Sequence, residues 1–255
     1  MYPYFQIGPI VMWTYGIAVG LAFVCAWKIL EVNLRRHHLP ERHAQPIILL
    51  VALTGFVGAR LAVVLDSPFQ LLEHPFGTIF SMNGYVWYGG LLAGVTTLWF
   101  MGKYLRIRSL LLLDLASPCA AIGYAIARLG CLIAGDGDYG TPTSLPWGMS
   151  FPNGLVPTGA HVHPTPVYEC LFGLVIFHYL WRAVANELPH GSITARYLVL
   201  TGCARFLVEF IRLNPRIVLG LSSAQIVSLL CIVFGLVMLG YYSNLRRRIV
   251  QPLTE

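Results

Sequence analysis

Charged residues are scarce in this 255-residue chain: they make up 11% of it, against 56% for hydrophobic residues. Because soluble globular proteins carry about 25% charged residues, the composition argues against a large soluble protein. The chain also lacks a CxxC pair, and its six cysteines lie in apolar runs, which indicates small buried residues rather than disulfides or metal ligands. No basic segment precedes the first apolar run, so we predict no cleavable signal peptide.

Long apolar runs fill most of the chain instead. About 20 apolar residues cross the ~30 Å hydrocarbon core of a bilayer, and a backbone in lipid must satisfy its own hydrogen bonds, which favours helices. We therefore predict an all-α polytopic membrane protein, a single integral membrane domain over residues 1–255 with about seven transmembrane helices. The predicted spans are Ile7–Leu30, Pro46–Leu65, Tyr85–Gly102, Leu110–Ala134, Pro164–Ala183, Ile193–Ile211 and Leu219–Tyr242. Segment 135–163 is predicted to be a structured outer (periplasmic) loop.

Lysine and arginine are concentrated in alternate loops between these runs. Cytoplasmic loops of membrane proteins are enriched in both residues, so the N-terminus is predicted to lie outside and the C-terminus in the cytoplasm. The residues behind this prediction are Arg35, Arg36, Arg42, Lys103, Arg106, Arg108, Arg182, Arg196, Arg246, Arg247 and Arg248. Arg212 and Arg216 are exceptions on the predicted outer side. The net charge of +6 thus reflects topology rather than nucleic-acid binding.

Several charged residues fall inside the predicted spans, at similar depth in their outer halves. A charge at the bilayer centre costs ~2.5–3.5 kcal/mol on insertion scales and marks a functional site by default. Together with two tyrosines at the same depth, these residues are Tyr15, Arg60, Tyr88, Arg128, Glu169, Arg205, Glu209 and Arg212. Asp114 lies near the cytoplasmic end of its span instead.

The spacing of Arg205, Glu209 and Arg212, four and then three residues apart, predicts that they share one helical face. Arginine suits a phosphate because its planar fork donates two hydrogen bonds and stays charged. For any one pair, the alternative is simple neutralisation of Glu169 or Glu209 by an arginine. Across the set, four arginines against two carboxylates leave about two positive charges. This predicts an anionic lipid headgroup that enters from the outer leaflet.

Polar side chains in segment 135–163 raise the question of a metal site. Asp136 and Asp138 have no third clustered ligand, so we expect turn formers or partners for the arginines. His161 and His163 also lack a third ligand, and His163 is better interpreted as an orienting or proton-accepting group. We predict no metal.

Short motifs in order along most of the chain together resemble the bacterial prolipoprotein diacylglyceryl transferase family. Each motif is weak alone, but six in order on seven spans are specific. They are Tyr15-Gly16, Gly58-Ala59-Arg60, Tyr88-Gly89-Gly90, the stretch from Ala127-Arg128-Leu129-Gly130-Cys131 through Tyr139-Gly140 to Leu145-Pro146-Trp147-Gly148, His163-Pro164-Thr165 with Tyr168-Glu169, and Arg205-Phe206-Leu207-Val208-Glu209-Phe210-Ile211-Arg212.

The resemblance implies transfer of the diacylglyceryl group of phosphatidylglycerol to a cysteine thiol of a prolipoprotein, with release of glycerol phosphate. The implied setting is the outer face of the bacterial cell inner membrane. The implied partners are phosphatidylglycerol, membrane lipid and a lipoprotein precursor with a signal peptide and lipobox cysteine, with no cofactor and no nucleic acid. Implied catalytic residues are Arg128 and Arg205 on the phosphate side, with Tyr88 and His163 on the thiol side. Implied substrate-binding residues are Tyr15, Arg60, Gly89, Gly90, Asp136, Tyr139, Gly140, Glu169, Glu209 and Arg212.

The chain departs from the family pattern at several positions. Tyr88 replaces an essential histidine, Cys131 and Ala134 replace asparagines, Asp136 replaces a glutamate and Thr201 replaces a tyrosine. A tyrosine, with a pKa near 10, is a poor base, which leaves His163 as a substitute. Three interpretations therefore stand: an active lipoprotein transferase, a transferase with the same lipid donor and another acceptor, and a non-enzymatic protein that binds or transports anionic lipid.

Overall fold

The computed structural model describes residues 2–66, 87–186 and 188–250. Within these ranges the chain is helical, with three short antiparallel hairpins, so the predicted all-α class is confirmed. The helices are α1 (Thr14–Arg36), α2 (Ala44–Asp66), α3 (Trp87–Tyr104), α4 (Ser109–Ala134), α5 (Thr165–Ala183), α6 (Ser192–Val208) and α7 (Ser223–Val250), with a short 3₁₀ helix at Glu41–His43. The hairpins pair β1 (Tyr4–Ile7) with β2 (Ile10–Trp13), β3 (Met149–Phe151) with β4 (Thr158–Val162), and β5 (Arg216–Val218) with β6 (Leu221–Ser222).

Four helical stretches in the described ranges are long and apolar enough to cross a membrane. They are Thr14–Arg36, Glu41–Val64, Ser109–Ala134 and Ser223–Ser243. Large apolar side chains on these helices face outward; Leu53 of α2, for example, is 65% exposed. Apolar surface on this scale marks contact with lipid or with another protein, and together with the helix lengths it makes the chain a membrane protein.

Three approximate span boundaries differ from the helix boundaries by a few residues, because the apolar run there extends beyond the helix. α1 begins at Thr14, since Ile10–Trp13 pairs with β1 across a turn in which Gly8 has a φ of +60°. α7 begins at Ser223 rather than Leu219, because β6 precedes it. α6 ends at Val208 rather than Ile211. Short apolar runs do not separate a strand from a helix end by periodicity.

The chain divides into two compact units. The first consists of Met1–Ile29 and Asp114–Glu255, and the second of Leu30–Leu113. In the second unit, α2 and α3 pack through glycines, a region that we call the glycine contact. A Cβ on Gly58 would lie 2.6 Å from the carbonyl oxygen of Gly89, and a Cβ on Gly89 would lie 2.5 Å from that of Gly58. The backbones therefore approach as closely as small residues permit.

In the first unit, Asp114 caps α6 from the neighbouring helix α4. Its Oδ2 accepts a hydrogen bond from the backbone N–H of Gly191 (2.6 Å), and its Oδ1 accepts from the N–H and hydroxyl of Thr194 (both 2.7 Å). A carboxylate at a helix N-terminus satisfies free N–H groups and suits the helix dipole. The one charge predicted at the cytoplasmic end of its span thus has a structural role.

Segment 135–163 has its own small core and is tied to the end of α6. The rings of Tyr139 and Phe151 stack with centroids 4.2 Å apart, and the Tyr139 hydroxyl donates to the carbonyl of Gly135 (2.8 Å). The backbone N–H of Gly140 donates to the carbonyl of His163 (2.9 Å), and Gly140 forms an isolated bridge with Arg212. These contacts bring the segment to the turn that follows α6.

Candidate functional site

An arginine cluster lies in the first unit where three helices and two connecting segments meet. We use this name for Arg128, Arg205, Arg212 and the carboxylates that pair with them, Asp138, Glu169 and Glu209. Arg128 is near the end of α4, Arg205 is near the end of α6, and Glu169 is in the first turns of α5. The sequence prediction that these charges converge is therefore correct for the described residues of this unit.

Glu169 is the centre of the cluster and is only 2% exposed. Its Oε1 accepts from Nη1 of Arg205 (2.6 Å) and from the hydroxyl of Tyr124 (2.6 Å). Its Oε2 lies 3.3 Å from Nε of Arg128 and 3.1 Å from Nη1 of Arg212. A buried carboxylate requires such pairing, and here a single carboxylate orients three guanidinium groups.

Glu209 lies behind the arginines and is fully buried. Its Oε2 is 2.8 Å from Nη2 of Arg205, while its Oε1 accepts from Nδ2 of Asn214 and Oγ of Ser222 (both 2.7 Å). These partners fix Glu209 in place, and its complete burial argues against direct contact with a substrate.

Arg205, Glu209 and Arg212 do not lie on one continuous helical face as predicted. α6 ends at Val208, and the N–H of Arg212 donates to the carbonyl of Glu209 (3.3 Å), a tight turn rather than α-helix. The side chains still meet, because the turn brings Arg212 back towards Glu169.

Asp138 changes the predicted charge balance of the site. Its two carboxylate oxygens bind Arg128 and Arg212, and Thr165 donates to its backbone carbonyl. Burial alone would raise the pKa of Asp138, but the two guanidinium groups outweigh burial and lower the pKa below its usual value. The predicted surplus of about two positive charges counted Arg60 and left out Asp138; within this cluster, three arginines meet three carboxylates.

Arg216 brings a further guanidinium to the edge of the cluster. Its Nη1 donates to Oε1 of Gln225 (2.6 Å), and its Nη2 donates to the backbone carbonyl of Glu209 (3.0 Å). Both acceptors are neutral, so the charge of Arg216 is not offset by these bonds. The sequence had marked Arg216 only as a topological exception.

Cys131, Asp136 and Tyr15 border the same end of α4. The Asp138 N–H donates to Oδ1 of Asp136 (3.2 Å), and one ligand atom each from Cys131, Asp136 and Asp138 lie within 4.8 Å of one another. α1 crosses α4 at Gly130, where a Cβ would lie 3.4 Å from the Tyr15 ring. Because both oxygens of Asp138 already bind guanidinium groups, this trio is a poor donor set for a cation.

His163 belongs to a hydrogen-bonded chain of side chains at the start of α5. Trp147 donates from Nε1 to the Tyr168 hydroxyl oxygen (2.8 Å), and that hydroxyl lies 3.2 Å from Nδ1 of His163. The neighbouring Gly140 has no room for a side chain, because a Cβ there would lie 2.8 Å from the His163 Cβ and 2.7 Å from the Ile211 carbonyl oxygen. Gly140 is thus required by the close approach of three segments.

The remaining predicted residues lie in the second unit. Arg60 is in α2, while Tyr88, Gly89 and Gly90 begin α3. Gly89 and Gly90 face α2 at the glycine contact; a Cβ on Gly90 would lie 3.0 Å from the Gly55 carbonyl oxygen. Packing therefore accounts for both glycines. The side chain of Tyr88 lies outside the described part of the structure.

Tyr124 is a member of the site that sequence reasoning missed. Its hydroxyl donates to Glu169 (2.6 Å), and the Arg128 guanidinium stacks over its ring, 4.9 Å from the centroid. Tyr124 precedes Arg128 by four residues on α4, and residues so spaced share a helical face. That spacing was the available signal.

Comparison with known proteins agrees with these motifs. Residues 3–241 match the family model described as prolipoprotein diacylglyceryl transferase. A phosphatidylglycerol–prolipoprotein diacylglyceryl transferase of Leptospira interrogans is 34% identical over 230 residues, which cover 80% of this chain and 72% of that protein. Enzymes of the same name from Clostridium tetani (29% identical; 91% and 94% covered) and Finegoldia magna (31%; 89% and 90%) are also similar.

A membrane-embedded transferase is the class of protein that the apolar helices and these relatives define. The chain belongs to the prolipoprotein diacylglyceryl transferase family. The predicted family and the prediction of an enzyme are therefore confirmed.

Proposed function

We propose that this chain transfers the diacylglyceryl group of phosphatidylglycerol to the thiol of a lipobox cysteine in a prolipoprotein and releases glycerol phosphate. The family and the names of its relatives support this reaction. The substrates would be phosphatidylglycerol from the membrane and a precursor with an N-terminal signal peptide.

The observation that carries the proposal is the unequal exposure within the arginine cluster. The side chains of Arg128 and Arg205 are 19% and 20% exposed, whereas Glu169 between them is 2% exposed. The carboxylate thus pairs with the two guanidinium groups at greater depth, while both arginine side chains stay partly accessible. Such preorganised donors suit the phosphate of a bound lipid and the negative charge that grows on it as the glyceryl C–O bond breaks.

Arg128 and Arg205 are accordingly the catalytic residues on the phosphate side. Arg212 is proposed for the same site from its motif position, and its pairs with Asp138 and Glu169 join those carboxylates to the site. Glu209 positions Arg205 and Arg212. Reaction at the glyceryl carbon is a displacement by sulfur, so no metal or redox cofactor enters our mechanism.

Around this centre, we propose that the other residues of the motifs bind or orient the substrates. Tyr88 and His163 orient the thiol, and Tyr15 and Tyr139 border the approach. The motif positions alone support a substrate-binding role for Arg60, Gly89, Gly90 and Gly140. The three glycines also serve helix and loop packing. Asp136 is proposed to contact the substrate from the same side as Tyr15.

The proposed topology follows the lysine and arginine bias. All seven helices would span the bacterial inner membrane, with the N-terminus outside and the C-terminus in the cytoplasm. Segment 135–163 would then be a periplasmic loop of one membrane domain, and the arginine cluster would open towards the outer leaflet, where the prolipoprotein cysteine emerges.

Rescue of a bacterial strain depleted of its own transferase is the test in cells. Growth and lipidation restored by this chain, and lost with Arg128→Ala, support the proposal. Lipid binding without rescue and without turnover would favour a non-enzymatic protein.

A reconstituted assay identifies the acceptor. Purified chain in phosphatidylglycerol vesicles should convert a lipobox peptide to its diacylglyceryl thioether and release one glycerol phosphate per peptide. Glycerol phosphate release that does not modify the peptide would instead indicate another acceptor, the alternative raised by Tyr88 and Cys131.

A further inference from the structure

A thiol must lose its proton before it attacks carbon, and the arginine cluster does not perform that step. A free cysteine has a pKa near 8.5, so only a small fraction is thiolate at neutral pH. Arginine stays protonated and takes up no proton. If the chain carries out the reaction proposed above, on which this inference rests, some other group must accept the thiol proton.

Four carboxylates lie at or beside the cluster, and three of them are held by guanidinium groups. Asp138 binds Arg128 and Arg212, while Glu169 and Glu209 are buried among the same arginines. A carboxylate paired in this way is stabilised in its charged form and is a weak base. We therefore assign these three carboxylates to the orientation of the arginines.

Asp136 is the fourth carboxylate, and it has no ion pair to a lysine or arginine among the described residues. Its Oδ1 accepts the Asp138 N–H (3.2 Å), and Cys131 lies beside it. The groups that face it are Tyr15 from α1, Arg128 and Cys131 from α4, and Asp138 from its own segment. It is only partly buried, so a substrate can reach it.

This environment favours the protonated form of Asp136 more than that of Asp138. Burial raises the pKa of Asp136, and the negative charge of Asp138 adds to that rise, although the Cys131 thiol and Arg128 act against it. A base works best when its pKa approaches the pH at which the enzyme operates. The pKa values of Asp136 and Asp138 are thus shifted in opposite directions, although the two residues are only two positions apart. Such a divergence assigns the role of base to Asp136 and that of arginine partner to Asp138.

His163 is less suited to take the proton because its ring nitrogen has a partner. The Tyr168 hydroxyl oxygen accepts the Trp147 N–H (2.8 Å) and lies 3.2 Å from Nδ1 of His163, a contact in which the donor depends on the histidine tautomer. In a neutral imidazole that accepts at Nδ1, Nε2 carries the hydrogen. In that tautomer His163 presents a donor to a substrate, and in either tautomer Nδ1 is already in contact with Tyr168.

We propose that Asp136 accepts the proton from the cysteine thiol of the lipoprotein substrate. The S–H bond breaks, the proton passes to the Asp136 carboxylate, and the thiolate forms a C–S bond at the terminal glyceryl carbon of phosphatidylglycerol. The C–O bond to phosphate breaks with its electron pair, and glycerol phosphate leaves as an anion on Arg128 and Arg205. The proton on Asp136 then passes to the departing phosphate or to water, which restores the carboxylate.

A substrate that needs no base tests this role directly. We would assay two lipobox peptides, one with cysteine and one with selenocysteine, whose selenol is already ionised at neutral pH. Asp136→Asn should lower the cysteine rate about 10²–10⁴-fold, the usual contribution of a general base, and leave the selenocysteine rate within about tenfold of the wild-type rate. Asp138→Asn is the matched control and should lower both rates alike, because it disturbs Arg128 and Arg212.

Equal losses for both peptides in Asp136→Asn would show a structural role and overturn the proposal, as would an unchanged cysteine rate. If the variant does not fold, the wild-type pH profile decides: the cysteine rate should fall at acidic pH as Asp136 is protonated, and the selenocysteine rate should not fall with the same pKa. Identical acidic limbs would refute the role. A wild-type chain that modifies neither peptide would contradict the proposed function instead.

Discussion

The arginine cluster and the glycine contact both consist largely of motif residues, but ion pairs stabilise the first and close backbone packing stabilises the second. The cluster places three guanidinium groups against three carboxylates, with Glu169 2% exposed at its centre. At the glycine contact, Gly58 and Gly89 bring two backbones together where a Cβ on either residue would collide with the other helix. Motif membership therefore does not by itself distinguish chemistry from packing; the contacts do.

Loss of a phosphate-side arginine should have the largest effect. Arg128→Ala and Arg205→Ala should each reduce glycerol phosphate release about 10³-fold or more, because the charge on the leaving phosphate loses a fixed donor. Arg106→Ala, at an exposed arginine in the loop after α3, is the control and should change the rate less than about twofold. Full turnover by the Arg128 variant would refute the site assignment.

Removal of the central negative charge should rank second. Glu169→Gln leaves three guanidinium groups with less compensation, so we expect a rate loss of about 10²-fold and a stability loss of about 3 kcal/mol. The melting temperature in detergent and the rate of glycerol phosphate release measure the two effects. Glu31→Gln, which removes a partly exposed partner of Arg35 (3.7 Å), should cost about 0.5 kcal/mol. Equal melting temperatures for the two variants would contradict the central role of Glu169.

The glycine contact should respond to volume rather than to charge. Gly89→Ala would place a Cβ 2.5 Å from the Gly58 carbonyl oxygen and should destabilise the lipid-free protein by about 1–3 kcal/mol. Gly94→Ala is the control, since its Cβ would meet Val51 at an ordinary 3.6 Å. Stability without lipid is the readout, because loss of a substrate contact alone leaves it unchanged. A lipid-free Gly89→Ala as stable as wild type would remove the packing explanation.

Tyr88→Phe should have the smallest effect of the four. If Asp136 takes the thiol proton, the variant loses only an orienting hydrogen bond worth about 1 kcal/mol, so the rate should fall about fivefold. The rate of peptide modification at neutral pH measures it. A collapse of 10³-fold would instead place the proton acceptor at Tyr88.

Much of the site was predictable because it depends on residues that are costly in a membrane. Arg128, Glu169 and Arg205 stood out by their depth in apolar runs, and the structure joins them. Asp138 did not stand out, because it lies in a loop. A loop has no helical or strand periodicity from which the direction of its side chain could be predicted. Which of the two aspartates met the arginines was settled by the fold of segment 135–163, anchored by Gly140 to the turn after α6.

The sequence by itself determined that the chain is a helical membrane protein, that it belongs to its family and that arginines gather at a site. Those conclusions need only composition, run length and motif order, which are properties along the chain. The tertiary structure decided that the cluster is balanced, that Glu209 lies behind Arg205, and that Asp136 is left outside the ion pairs. The physical reason is that a charge balance depends on distances between helices and loops, and residue spacing constrains only neighbours on the same helix.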